Sequence, residues 1–164
     1  MSEIENRLAD MGITVPQPAA PLAAYVGHVV HNGIVTVSGQ LPLVDGALTK
    51  TGLLGDTVST EEGADAARIC AINILAQVKL ACEGDLERIE KCIRLGGFVA
   101  SMPDYTDHPK VINGASEFIG QVLGERGAHA RAAVGVAALP LNACVEVEGT
   151  FACLLYTSPS PRDA

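Results

Sequence analysis

The chain has 164 residues, of which 48% are hydrophobic and only 18% charged, and its formal net charge is −8. This length favours one domain with a sizeable core. Proteins that bind nucleic-acid phosphates carry basic surfaces, so the negative charge disfavours a nucleic-acid partner. The abundance of small apolar residues and the low charge indicate more buried surface than one small domain offers, which predicts self-association.

The five cysteines include no CxxC pair, which predicts reduced, buried thiols rather than a disulfide framework. No apolar run has transmembrane length, and the charged N-terminus lacks the apolar segment of a signal peptide. We therefore expect a cytoplasmic protein without membrane contact. His28 and His31 lie three apart on a predicted strand, where side chains alternate between faces, so no metal site is expected.

The first part of the chain is predicted to contain a short helix and two strands. Ser2 can cap the helix and Gly12 can end it. Prolines 16, 18 and 21 predict an extended linker. Asn32-Gly33 is a strong hairpin-turn signal between the strands. The predicted ranges are 2–11 for the helix and 24–30 and 34–38 for the strands.

The middle of the chain is predicted to alternate helix, strand and helix. A capping box at Ser59 and Glu62 begins the first helix, and Gly84 ends the segment. Gly96-Gly97 indicates a bulge or a point of close approach in the strand. The predicted ranges are 59–82, 86–101 and 109–122.

The last part of the fold, residues 129–152, is predicted to be an antiparallel hairpin, because two alternating apolar runs flank residues 139–142. With a two-residue loop, Arg131 and Glu146 would lie diagonally on one face, with Cα atoms roughly 7–8 Å apart. A four-residue loop would keep them on that face at a longer distance, and an odd-length loop would part them.

The two faces of this predicted hairpin differ. One would be a core face with Ala132, Val134, Val136, Val145 and Val147. The other would carry Arg131, Ala133, Gly135, Ala137, Cys144, Glu146 and Glu148. Its charges among small residues indicate a cavity wall. The element order ββαβαββ predicts an α+β fold, with a mixed sheet and both helices on one face. The uncovered face would then need a partner, most simply a second copy.

Two stretches carry a resemblance to a known family. Residues 38–42, SGQLP, and residues 131–140, RAAVGVAALP, followed by VEVE at 145–148, resemble motifs of the Rid proteins. These are reactive intermediate imine/enamine deaminases, also called YjgF-like or endoribonuclease L-PSP. The resemblance covers roughly residues 21–152. It implies a chorismate-mutase-like α+β fold and a homotrimer with three sites in clefts between subunits.

The residue patterns and the resemblance together divide the chain. Residues 1–20 would form the N-terminal helix and Pro-rich linker, and residues 21–153 the Rid-like domain. Residues 154–164 carry no pattern and end in a Ser/Pro cluster. We expect them to be a disordered tail, and a cloning or sequencing artefact rather than part of the fold.

The resemblance assigns roles to individual residues. Arg131 would bind the substrate carboxylate, and Glu146 would position the water that hydrolyses the imine. Ala133 stands where the family usually has Cys, which contributes its main chain to the pocket. No cofactor is needed, because protonated imines hydrolyse readily. The residues that would line the cleft are Tyr25, Ser38, Gly39, Asn113 and Ala133.

Three functions follow as hypotheses. The leading one is hydrolytic deamination of small reactive 2-imino or enamine acids to 2-oxo acids and ammonia. The second, favoured by Ala133, is a non-catalytic trimer that binds small carboxylates such as 2-oxo acids. The third and weakest is an endoribonuclease, suggested only by a family label. Without the resemblance, an interfacial ion pair of Arg131 with Glu146 or Glu148 would be as good an interpretation.

Overall fold

The computed structural model describes residues 2–18, 20–21 and 23–155. The predicted tail falls outside these residues except for positions 154 and 155. Short 3-10 turns lie at Leu86–Arg88, Gly124–Gly127 and Pro140–Asn142. The helices and strands in chain order are α1 (Glu3–Asp10), β1 (His28–His31), β2 (Ile34–Gln40), β3 (Leu43–Val44), β4 (Ala47–Leu48), α2 (Thr60–Ala81), β5 (Ile89–Ala100), α3 (His108–Leu123), β6 (Ala130–Val136) and β7 (Val145–Cys153).

A five-stranded mixed sheet forms the centre of the fold, in the order β1-β2-β7-β5-β6. The pairing of β5 with β6 is parallel and the others are antiparallel. Helices α2 and α3 pack together on one face of this sheet. The predicted α+β fold is therefore confirmed. Among the described residues, no helix is long and apolar enough to cross a membrane.

The predicted hairpin of residues 129–152 is wrong. Strand β5 lies between β6 and β7, pairing in parallel with β6 and antiparallel with β7. Alternation of apolar residues reports which faces a strand presents, but it does not identify the neighbouring strand. Helix α3 provides the crossover that a parallel β5–β6 pair requires. The chain then passes from the edge strand β6 over β5 to reach β7.

The change of partner also corrects the predicted faces of β6. Arg131 is level with Leu95, and Ala133 and Val147 are both level with Gly97. Since directly paired residues share a face, Arg131 and Ala133 point toward the helices. Val134 points instead to the face of the sheet that α2 and α3 do not cover, which we call the open face, and it is 46% exposed there.

Cysteine burial contradicts a second part of the predicted cavity wall. Cys144 is completely buried in the core, and burial raises the pKa of its thiol to about 11. A thiol with such a pKa stays protonated at neutral pH and is a poor nucleophile. Cys144 is therefore a buried thiol, as predicted for the cysteines, and does not line a cavity on the sheet.

The helices approach the sheet closely at Gly97. An added Cβ there would lie 2.4 Å from a side-chain atom of Ile112 on α3. The close-approach interpretation of Gly96-Gly97 is thus confirmed at Gly97, while the bulges of β5 fall earlier, between Ile89 and Lys91 and between Cys92 and Arg94. This contact sets the distance between α3 and β5, the strand that lies between Arg131 on β6 and Glu146 on β7.

Helix α1 is part of the same core as the sheet. Ile4 is fully buried and Leu8 is 2% exposed, and both belong to the main apolar cluster. The Ile4 backbone N–H donates to Glu87 Oε1 (2.9 Å), and Arg7 Nη1 donates to the Val122 carbonyl (3.0 Å). The helix is therefore attached to the end of α3.

Candidate functional site

Glu146 lies in a cleft of about 350 Å3 between the segment before β1, the end of β2, helix α2 and the turn before β7. We call this the Glu146 cleft. Tyr25 and Gly39, two of the predicted site residues, lie in its wall. Its principal lining residues are Tyr25, Gly39, Gln40, Gln77, Leu141 and Glu146.

A glycine makes room for the Glu146 carboxylate. The β2–β7 pairing is interrupted by a bulge between Val37 and Gln40, and Gly39 lies in this bulge. An added Cβ at Gly39 would be 2.8 Å from Cδ of Glu146, closer than ordinary packing allows. Ser38, in the same bulge, donates from Oγ to the Val26 carbonyl (2.6 Å). The SGQ motif therefore shapes the wall against which the carboxylate lies.

The pKa of Glu146 is raised above its usual value. Burial is the main cause, because it disfavours the charged form, and the nearby negative charge of Glu148 adds to the effect. A carboxylate with a raised pKa can accept a proton from water and return it within one reaction. Glu146 thus has the properties of a general acid–base group.

Arg131 is held from helix α3. Its Nη1 donates to Ser116 Oγ (3.1 Å) and its Nη2 donates to the Pro109 carbonyl (3.2 Å). Among the described residues it forms no salt bridge, and Glu148 pairs with Arg94 instead (3.6 Å). The half-buried guanidinium of Arg131 therefore has no carboxylate partner among the described residues.

The structure does not bring Arg131 and Glu146 together within one chain. Arg131 is level with Leu95 and Glu146 with Phe98 on the intervening strand β5, whose pairing is regular between these positions. An odd separation along a strand places side chains on opposite faces. The prediction that the two share one face is therefore wrong.

The remaining predicted residues divide between the two groups. Ala133 lies on the face of Arg131, half-buried next to the core. Asn113 lies on α3 between the turns that hold Arg131, and it lines a groove between α2 and α3. Ser38, Gly39 and Tyr25 belong with Glu146. The predicted residues other than Asn113 thus form two half-sites, one around Arg131 and one around Glu146, whereas the groove that Asn113 lines contains neither of them.

The comparison with protein families identifies the family to which this fold belongs. The sequence model of the family described as "YjgF/chorismate mutase-like, putative endoribonuclease" matches residues 5–154. The chain belongs to the YjgF family. The match begins within helix α1 and includes Leu8, which is buried in the core.

Several relatives of this YjgF family member have similar length and structure. Protein TCP17 of Trypanosoma cruzi is 45% identical over 146 residues, which cover 88% of this chain and 91% of that protein. A crystal structure of a protein of unknown function from Agrobacterium tumefaciens has 47% identity and a TM-score of 0.85, covering 93% of this chain and 94% of its own. A "putative endoribonuclease" from Shewanella oneidensis has 34% identity and a TM-score of 0.88, covering 91% and 98%.

Sequence reasoning missed one polar group in the cleft of this YjgF family member. Gln77 projects from α2 and is only 3% exposed, and its Oε1 accepts a hydrogen bond from His28 Nδ1 (2.8 Å). Its amide packs against Gly27, where an added Cβ would lie 2.5 Å from Nε2. The signal was an amide among the apolar residues of a helix, because such a buried polar group needs a partner.

Proposed function

We propose that this chain hydrolyses small reactive 2-imino or enamine acids to 2-oxo acids and ammonia. The observation that supports this proposal most is the pair of half-sites: a carboxylate with a raised pKa in a cleft, and a guanidinium without a carboxylate partner among the described residues. A 2-imino acid presents a carboxylate and an electrophilic C=N carbon. A guanidinium can bind the carboxylate, and a general base can activate the water that attacks the C=N carbon.

The chemistry balances without further reactants. Glu146 removes a proton from water as the water oxygen adds to the C=N carbon of the protonated imine, which gives a carbinolamine. The protonated carboxyl then returns this proton to the amine nitrogen, the C–N bond breaks, and Glu146 accepts the hydroxyl proton as the carbonyl forms. Glu146 passes this second proton to the departing ammonia, which leaves as ammonium. Each proton that Glu146 accepts is used again, so the residue is regenerated after every turnover.

We further propose that each site forms between two copies of the chain in a homotrimer. Within one chain, Arg131 and Glu146 lie on opposite faces of the sheet, so they cannot both contact one small substrate. The open face carries exposed apolar residues, among them Val29 and Val134, which a neighbouring copy would cover. Arg131 of one protomer would then meet Glu146 of the next.

Mixed trimers test this arrangement directly. Arg131→Ala and Glu146→Gln are each expected to be nearly inactive in ammonia release from enzymatically generated 2-aminoacrylate or 2-iminobutyrate. When the two variants are co-expressed with different tags, every mixed trimer has one intact site. Random assembly at equal levels should therefore restore about a quarter of the wild-type activity.

The controls for this experiment are the two single variants, each expressed alone, and the double variant expressed with both tags. A mixture that stays inactive although both tags co-purify would contradict a shared site. An undiminished rate in Arg131→Ala would contradict the assignment of Arg131, and no acceleration by the wild type would contradict the deaminase itself.

Two other functions remain as outcomes of these measurements. Binding of 2-oxo acids without imine turnover would select the non-catalytic trimer, for which Ala133 in place of Cys is the supporting feature. RNA cleavage that co-purifies with the protein and disappears in Glu146→Gln would select the endoribonuclease named in the family description. The net charge of −8 argues against that activity.

A further inference from the structure

The Glu146 cleft is larger than the smallest 2-imino acids require. Its volume is about 350 Å3, within the range of roughly 300–1,000 Å3 that is typical of pockets for much larger ligands. The imine of alanine, by contrast, has only a methyl group beyond its reacting carbon and carboxylate. Space is therefore left for a substrate side chain.

The walls of this space are apolar. Leu41, Leu43 and Leu141 line it, and Glu146 is the one charged side chain among its described lining residues. The Gln40 amide donates to the Ser38 carbonyl (2.9 Å), so one of its two N–H donors is already used within the protein. An acidic substrate side chain would meet Glu146 with no cation to offset the repulsion, which favours an uncharged, apolar side chain.

Leu141 is an unusual part of this wall. It has φ 58° and ψ 21°, a left-handed conformation that bulky residues rarely adopt. Its side chain is nevertheless 62% exposed, so burial in the core does not explain the strain. Strained residues of this kind cluster where a ligand is held.

We infer that the cleft selects imines with a bulky apolar side chain, such as those derived from leucine, and that Leu141 determines this selectivity. The inference rests on the proposed function, in which Arg131 of a neighbouring copy holds the carboxylate and Glu146 faces the imine carbon. The substrate side chain then lies against the leucines. Each additional buried methylene strengthens binding, by about 0.8 kcal/mol in general transfer scales.

Binding of 2-oxo acids, the reaction products, tests the selectivity without requiring turnover. Titration calorimetry on the full chain would compare pyruvate with 4-methyl-2-oxopentanoate. We expect the larger acid to bind at least about tenfold more tightly. Leu141→Asn keeps a residue that tolerates the left-handed conformation, and it should lower the affinity for the larger acid several-fold while leaving pyruvate unchanged.

Leu80→Asn is the matched control, because Leu80 is an exposed leucine on α2 that does not line the cleft. It should change neither affinity. Equal binding of the two acids, no binding of either, or an equal loss for both in Leu141→Asn would overturn the inference. Selective binding without ammonia release from the corresponding imines would support the selectivity and overturn the deaminase, so the two failures are distinguishable.

Discussion

The two half-sites of this fold are built in contrasting ways. Glu146 lies on the central strand β7, half-buried against Gly39, and its pKa is raised. Arg131 lies on the edge strand β6, and α3 holds its guanidinium through one hydroxyl and one carbonyl. The carboxylate is positioned by the sheet and is partly withdrawn from water, whereas the guanidinium is positioned by a helix.

This contrast shows why separation within one chain is useful. A direct salt bridge would lower the pKa of Glu146 and weaken it as a proton carrier near neutral pH. The same salt bridge would make the Arg131 guanidinium less available to bind a substrate carboxylate. Because the sheet keeps the two groups of one chain apart, no such salt bridge forms within a protomer, and each group keeps the property that the proposed imine hydrolysis requires.

Removing the carboxylate should have the largest effect. Glu146→Gln keeps the shape of the side chain but cannot carry a proton, so we expect kcat to fall by about 10²–10⁴-fold. The folded pKa is raised above the unfolded one, so the ionised group destabilises the fold at pH values above both. Ammonia release at pH 7 should therefore collapse while the Tm stays the same or rises. A clear fall in Tm would contradict this account of the carboxylate.

Displacing the carboxylate should have an intermediate effect. Gly39→Ala places a Cβ 2.8 Å from Cδ of Glu146, so the side chain must shift, and we expect kcat to fall by about 10²-fold, as misplacement of a reacting group by about 1 Å can do. Gly120→Ala is the control, because an added Cβ on this helical residue meets nothing within 4 Å. The control should keep its activity and gain about 0.5–1 kcal/mol in free energy of unfolding. An unaffected kcat in Gly39→Ala would mean that the close approach of Gly39 to Glu146 does not position the carboxylate for catalysis.

The smallest expected effect concerns pH. If ionised Glu146 is the base, kcat/KM should fall as the pH drops through its raised pKa. Glu148 contributes to that rise through its negative charge, so Glu148→Gln should move the acid limb of the profile to lower pH. Arg94→Gln removes the ion-pair partner of Glu148 and should not move the limb in that direction. If the acid limb of the kcat/KM profile stays in place in Glu148→Gln, Glu148 does not influence the titration that controls activity.

Local patterns in the sequence were sufficient to predict most elements of the fold. The capping box at Ser59 and the Asn32-Gly33 turn depend on neighbouring residues alone, and both are present in the structure. The pairing of β6 with β5 could not be read from periodicity, because alternation identifies faces and not partners. It follows that the sequence could suggest Arg131 and Glu146 individually while placing them wrongly relative to each other.

The Glu146 cleft was predictable only in part, for the same reason. Gly39 and Tyr25 entered through a resemblance, whereas Gln77 and Leu141 line the cleft only because α2 and the turn before β7 meet there. Such meetings depend on tertiary packing. A single sequence carries no local sign of them apart from an amide in an apolar stripe.

The attachment of α1 has a consequence for how the protein could be shortened. A truncation at residue 21 follows the boundary that the motifs suggest, but it would strip Ile4 and Leu8 from the core and remove the Arg7 contact with the last turn of α3. Each lost side chain of this kind costs about 2–5 kcal/mol. Because α3 also holds the guanidinium of Arg131, loss of α1 would loosen the position of the proposed carboxylate-binding group through the far end of that helix.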